Sequence, residues 1–208
     1  LSTIDPALAL EILLPVSEED IPESRKSQVL IQGLETVAGH TQQEYGMVVI
    51  GQRLLEIQEF DLAEHTFLQA VDLNPDYAEA WVMLSEAEQS LGKDGWPALE
   101  KAQTLAPTSN MVWVEMALYY RRQGKPDKAL PFLIALAEAN PQDASWLTEI
   151  GATVAEQGDL IEALAYYQKA AELEPKNAAI WRALAEFSAE NGVDAQTISN
   201  PAAEKTLN

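Results

Sequence analysis

Two histidines, His40 and His65, are the side chains best suited to binding a metal or moving a proton near neutral pH. A zinc centre needs three converging nitrogen, sulfur or oxygen ligands, and neither His has a second His nearby. Cysteine is absent, and so is the helical pair H-E-x-x-H. Both histidines therefore read as surface residues rather than ligands. The stretch QGKPDKA at 123–129 contains Gly-Lys, but a phosphate loop needs a glycine where Tyr119 stands and a Ser or Thr where Pro126 stands. It reads as a turn. No G-x-S-x-G elbow for an activated serine is present, and no acidic calcium loop. Among 33 carboxylates any two can be imagined as an acid and base, so their abundance points to a solvated acidic surface. No catalytic, cofactor-binding or metal-binding residue is assigned.

The elements that would position such residues come next. The 208 residues are 47% hydrophobic, enough for a folded core, and carry a net charge of −20. Residues 1–92 hold 17 acidic against 3 basic residues, and 93–208 hold 16 against 10. Such a field repels phosphate backbones, which excludes nucleic acid as the expected ligand. There is no run of 18 apolar residues for a membrane span. A soluble protein is expected, with the cytoplasm favoured over export. Leu1 in place of Met leaves room for a removed leader or upstream segment, so no address is legible.

LNPDYAEAW at 73–81 and LEPKNAAIW at 173–181 share Leu-x-Pro-x-x-Ala-x-x-Trp. Prolines recur at Pro75, Pro107, Pro141 and Pro175, and small residues follow the same period of about 34. From Glu44, the first unit has Gly51, Ala63, Phe67 and Ala70; residues 144–177 have Gly151, Ala163, Tyr167, Ala170 and Pro175. Each unit reads as two helices. In the first, Trp81, Leu84 and Ser85, then Trp113, Met116 and Ala117, then Trp181, Leu184 and Ala185 share a packing face. Asp61 with Glu64 and Asp159 with Glu162 have capping-box spacing at the second helix, where Pro97 and Pro126 also suit the first turn. Ser109, Asp143 or Asn177 can cap the next unit.

This pattern resembles the tetratricopeptide repeat (TPR) family over residues 44–192. The resemblance implies an all-α fold, a right-handed superhelical TPR solenoid of antiparallel helix pairs with a concave and a convex side. The units are 44–77, 78–109, 110–143, 144–177 and a partial 178–192. The second is two residues short, with LGKDGW replacing the usual turn. Residues 1–43 form an N-terminal extension: a short helix in DPALALEILLP, an exposed connection in SEEDIPES, and a capping helix with helical spacing at Val29, Leu30, Leu34 and Val37. Residues 193–208 read as the start of an incomplete second helix or a tail, because PAAEKTLN aligns with PALEKAQT at 97–104.

In the resembling family the first helix of each unit lines the concave groove. Carried over by position, the partner-binding residues are Tyr45, Gln52 and Glu56 in the first unit and Glu79, Val82, Glu86 and Gln89 in the second. The third gives Met111, Val114, Leu118, Arg121 and Arg122, and the fourth and fifth give Thr148, Arg182 and Glu186. The Lys, Arg and Asn clamp with which some members bind chaperone C-termini is missing. Two readings of Arg121 and Arg122 stay open: a basic end of the groove, or charges that solvate a helix end and balance local acids. Trp96, between Gly95 and Pro97, either staples a helix start or is an exposed anchor.

The resemblance implies a non-enzymatic protein-protein interaction scaffold that needs no cofactor and binds a partner peptide or helix. The alternative is a regulatory or substrate-docking region of a larger enzyme or sensor. Homo-oligomers through exposed repeat ends are a third possibility.

Overall fold

Apolar residues three and four apart fold the chain into helices that each bury one stripe. The computed structural model describes residues 22–37 and 42–193. Ten helices and no strand lie among them: α1 (Pro22–Val37), α2 (Gln43–Glu56), α3 (Phe60–Leu73), α4 (Ala78–Ser90), α5 (Trp96–Leu105), α6 (Asn110–Arg122), α7 (Pro126–Ala139), α8 (Ser145–Glu156), α9 (Leu160–Leu173) and α10 (Ala178–Asn191). The described residues form two compact units, and the division between them, at Val112 and Trp113, falls within α6.

In the first unit α1 packs on α2, α2 on α3, α3 on α4 and α4 on α5. Its core holds Val48, Ala63, Phe67, Ala70, Leu84 and Ala87. The buried stripe of α1 is Ser27, Ile31, Leu34 and Val37, so Val29 and Leu30 sit at its edge, half-buried. In the second unit α7 packs on α8, α8 on α9 and α9 on α10, around Leu133, Leu136, Ile150, Val154, Leu164 and Tyr167. The Tyr167 ring stacks on Phe187, centroids 4.8 Å apart. The short helix expected in DPALALEILLP, His40 and the expected tail beyond Val193 lie outside the described residues. The SEEDIPES stretch ends inside α1, because Pro22 suits a first helical turn.

Every turn inside a helix pair is closed in the same way. One residue adopts positive φ: Gln58 at 63°, Gly92 at 71°, Gly124 at 64° and Gly158 at 90°, and Gly192 at 63° closes the end of α10 likewise. The next amide reaches back over the turn, as Glu59 N does to Leu54 O, Lys93 N to Glu88 O and Asp159 N to Val154 O. This is the Schellman closure, which suits glycine because it has no Cβ to clash. Gln58 is the one non-glycine in the set. Gln58→Gly is expected to raise stability by about 0.5 kcal/mol, a relief of left-handed strain partly offset by the greater freedom of the unfolded chain. A urea melt in which the midpoint falls would contradict it.

The caps divide. Asp159 accepts from Glu162 N at 3.0 Å, Asn177 from Ala179 N at 3.1 Å and Asp143 from Ser145 N at 3.0 Å. Asp61 does not cap: α3 starts at Phe60, so Asp61 already lies in its first turn. The residue in the Asp159 position is Glu59, whose carboxylate pairs with Lys26 of α1, while Glu64 takes Lys93. Pro97 and Pro126 occupy first-turn positions, where a missing N–H costs nothing.

The joint between pairs explains the shared Leu-x-Pro-x-x-Ala-x-x-Trp. Trp81 donates its indole N–H to the Pro75 carbonyl at 2.8 Å, and Trp181 donates to Pro175 at 2.9 Å. The tryptophan thus holds the end of one pair against the start of the next. Leu84, Ser85, Met116, Ala117 and Leu184 are buried, as the packing face requires, and Trp81 and Trp113 half-buried. Trp181 is 49% exposed and Ala185 exposed, because no described second helix covers that face of α10. Two of the repeats are each tied internally, head to tail, across thirty residues. Asn74 donates its side-chain amide to Glu44 at 3.4 Å, and the Ala144 amide donates to Glu174 Oε1 at 2.9 Å.

Candidate functional site

The first helices α2, α4, α6, α8 and α10 carry every residue assigned to the binding groove. A helix packed on one side leaves its other side to present residues, and accessibility decides which of them do.

In the first unit the face is polar and internally bonded. Gln52 donates to Met83 Sδ at 3.5 Å, Gln89 to Ser85 Oγ at 3.0 Å, and Arg53 pairs with Glu56 at 2.6 Å. Tyr77 donates its hydroxyl to Glu79 at 2.8 Å; burial first, then Glu79, pushes that phenol above its ordinary range. Tyr45 and Glu86 are half-buried. Val82 is 1% exposed and offers a partner nothing, since it supports the wall from within. Met111 at the start of α6 is 37% exposed.

In the second unit Leu118 is 37% exposed, Val114 is half-buried, and Thr148 is half-buried with its hydroxyl turned back to the Ala144 carbonyl at 3.3 Å. Arg182 and Glu186 are exposed. The arginines are engaged. Arg121 reaches from α6 to α8, with Nη1 2.9 Å from Glu149 and Nη2 2.6 Å from Glu156. Burial pulls its pKa down, but the hydrogen bonds and charges of Glu156 and Glu149 outweigh that and raise it. Arg122 pairs at 3.2 Å with Glu115, a buried carboxylate. Of the two readings, balancing local acids is the one this geometry supports.

His65 is exposed beside Gln69, 3.2 Å away, and no group of three His, Cys, Asp or Glu able to hold a metal occurs among the described residues. No described helix is long and apolar enough to cross a membrane. Trp96 opens α5, half-buried, its amide bonded to Asp94 at 3.1 Å.

The second unit also has a cleft that the groove assignment missed, on the side of the second helices. It measures about 550 Å³ and lies among α7, α8 and α9. Leu147 and Ile150 form an apolar floor, Ile134 and Leu173 apolar walls, and Glu138, Asp143, Lys169 and Glu172 a charged rim. Near its end Glu174 is held below the ordinary carboxylate range by the Asn177 side chain and the Ala144 amide. The legible signal was one departure from pattern: Leu147 stands where the other joints have Trp81, Trp113 and Trp181.

Compared with known proteins, the chain matches the model of the Tetratricopeptide repeat over residues 48–109 and 114–178. It is similar to a thermophilic TPR protein of Thermus thermophilus, with 20% identity and a TM-score of 0.66, over 88% of this chain and 98% of that one. It is also similar to YrrB, described as a TPR protein with an unusual peptide-binding site, at 18% identity and TM-score 0.57, covering 80% and 87%. A chain of the APC/C hetero-tetramer Cut9-Hcn1 matches at 17% identity and TM-score 0.64, over 90% of this chain and 39% of that one. At these identities the likeness is one of fold. No curated protein matches by sequence.

Proposed function

The chain belongs to the tetratricopeptide repeat family, and on that premise we propose that it is a non-enzymatic scaffold whose first helices hold a segment of a partner protein. The observation that carries this reading is Leu118, a large apolar side chain left 37% exposed on α6 beside the ordered Arg121–Glu149–Glu156 network. Burying that side chain would favour association, and the fixed charges around it would set orientation. The arginines act as a rigid rim that orients a partner; their charge is already balanced, so a purely acidic ligand gains little from them. The peptide-binding description of YrrB is consistent with such a use, though at 18% identity it names no residue here.

Leu118→Asp tests the reading. The variant is expected to melt within about 1 kcal/mol of the parent, since the site is a surface one. Proteins captured by the parent chain from lysate of the source organism are expected to be lost from the variant. Equal retention by both chains, or capture of nothing by the parent, would count against the proposal.

A further inference from the structure

The cleft among α7, α8 and α9 occupies a joint that lacks its tryptophan. At 75–81 and 175–181 an indole lies against the joint and donates to the proline carbonyl six residues back. At 141–147 the sixth residue is Leu147, which has neither the ring nor the N–H. The Pro141 carbonyl takes no hydrogen bond from any described residue, and Pro141 and Leu147 both line the cleft. The protein itself shows twice what fits against such a proline. At about 550 Å³ the cleft also has room for an indole.

The rim adds a charge preference. Three carboxylates, Glu138, Asp143 and Glu172, face one cation, Lys169. Asp143 is committed to Ser145, but the carboxylates of Glu138 and Glu172 are exposed and take part in no hydrogen bond or ion pair among the described residues. An incoming group with positive charge beside its apolar part is therefore favoured.

We propose that this cleft is a second binding site, on the side of the second helices, for a partner peptide that inserts a tryptophan flanked by basic residues. The indole lies on Leu147 and Ile150 and donates to the Pro141 carbonyl, and the basic residues meet Glu138 and Glu172. A second copy of this chain is a poorer occupant, because Trp81 and Trp181 already donate within their own joints and Trp96, Trp113 and Trp146 are half-buried in their own folds. The inference shares with the scaffold reading only the idea of a protein ligand.

The test uses the acetylated, amidated peptides Lys-Trp-Lys and Lys-Ala-Lys, titrated into the full chain at about 150 mM salt while the methyl signals of Ile134, Leu147, Ile150 and Leu173 are followed. Lys-Trp-Lys is expected to shift these signals and to bind at least about tenfold more tightly than Lys-Ala-Lys. Leu147→Trp fills the cleft from within, so it should melt no lower than the parent and bind Lys-Trp-Lys about tenfold more weakly. The surface double variant Glu138→Lys, Glu172→Lys should weaken binding similarly and keeps the test sharp if Leu147→Trp fails to fold. Equal binding of the two peptides, or undiminished binding by a folded variant, overturns the proposal. Shifts of these methyls on simple dilution of the chain also overturn it, since the occupant would then be a second copy. Leu118 is untouched in these variants, so a failure here leaves the first-helix reading standing.

Discussion

Replacing Gly51 by alanine should lower the melting midpoint by about 4–8 °C, while the same change at Gly151 should leave it nearly unmoved. Both glycines sit where α2 and α8 let their partner helices come close, and the sequence pattern treats them as equivalent. Their surroundings differ. A Cβ at Gly51 would lie 2.4, 2.6 and 2.9 Å from three atoms of the Phe67 ring, and Phe67 is fully buried, so the ring has nowhere to go. At Gly151 the nearest atoms are 3.1–3.2 Å away, on Tyr167 and the Ala163 carbonyl. Overpacking of the first kind costs about 1–3 kcal/mol. Alanine returns about 1 kcal/mol of helix propensity, which can cancel the milder crowding at Gly151 but not the clash at Gly51. Gly51→Leu should exceed both. A Gly51→Ala protein that melts at or above the parent would show that α2 and α3 are not as close as described.

The double change Arg121→Glu, Arg122→Glu should destabilise the second unit by about 2–4 kcal/mol. Read from the sequence alone, two arginines at the end of an exposed helix face look dispensable, because isolated surface pairs contribute little. The structure changes the arithmetic in two ways. Arg121 bridges α6 to two carboxylates of α8, so its reversal sets three negative charges within one small area. Arg122 faces Glu115, whose carboxylate is buried and would meet another carboxylate instead of a guanidinium. Chemical denaturation at low and high salt is the measurement: the loss should shrink at high salt as the repulsion is screened. Parent-like stability at low salt would mean the arginines are free for a ligand after all.

What could be read from sequence was whatever depends on period and local contact. The recurring proline, the small residues beside Phe67 and Tyr167, the Asp159 cap and the buried Leu84, Met116 and Leu184 all follow from repeating spacing, and each appears in the structure. Asp61 failed for a local reason: α3 begins one residue before it, and the acid in the cap position, Glu59, pairs with Lys26 instead of capping. The groove positions were harder. Position in a repeat says which way a side chain leaves its helix, but the neighbour it meets lies about thirty residues away. That is why Val82 stands beside Glu79 by position though it is buried, and why spacing alone does not pick out Glu149 and Glu156 as the acids that hold Arg121. The cleft was hidden for the opposite reason. Leu147 in place of a tryptophan is legible, but what it leaves open is not until the joints with Trp81 and Trp181 show what the indole does.

The head-to-tail ties, Asn74 to Glu44 and Ala144 to Glu174, bear on how the chain acquires its structure. Each closes a loop of thirty residues over a single helix pair, so the contacts it needs are near in sequence and form early at small entropic cost. One such pair lies in each compact unit. The chain therefore has two places where ordering can begin, residues 44–77 and 144–177, and each can recruit the helices beside it without waiting for the other.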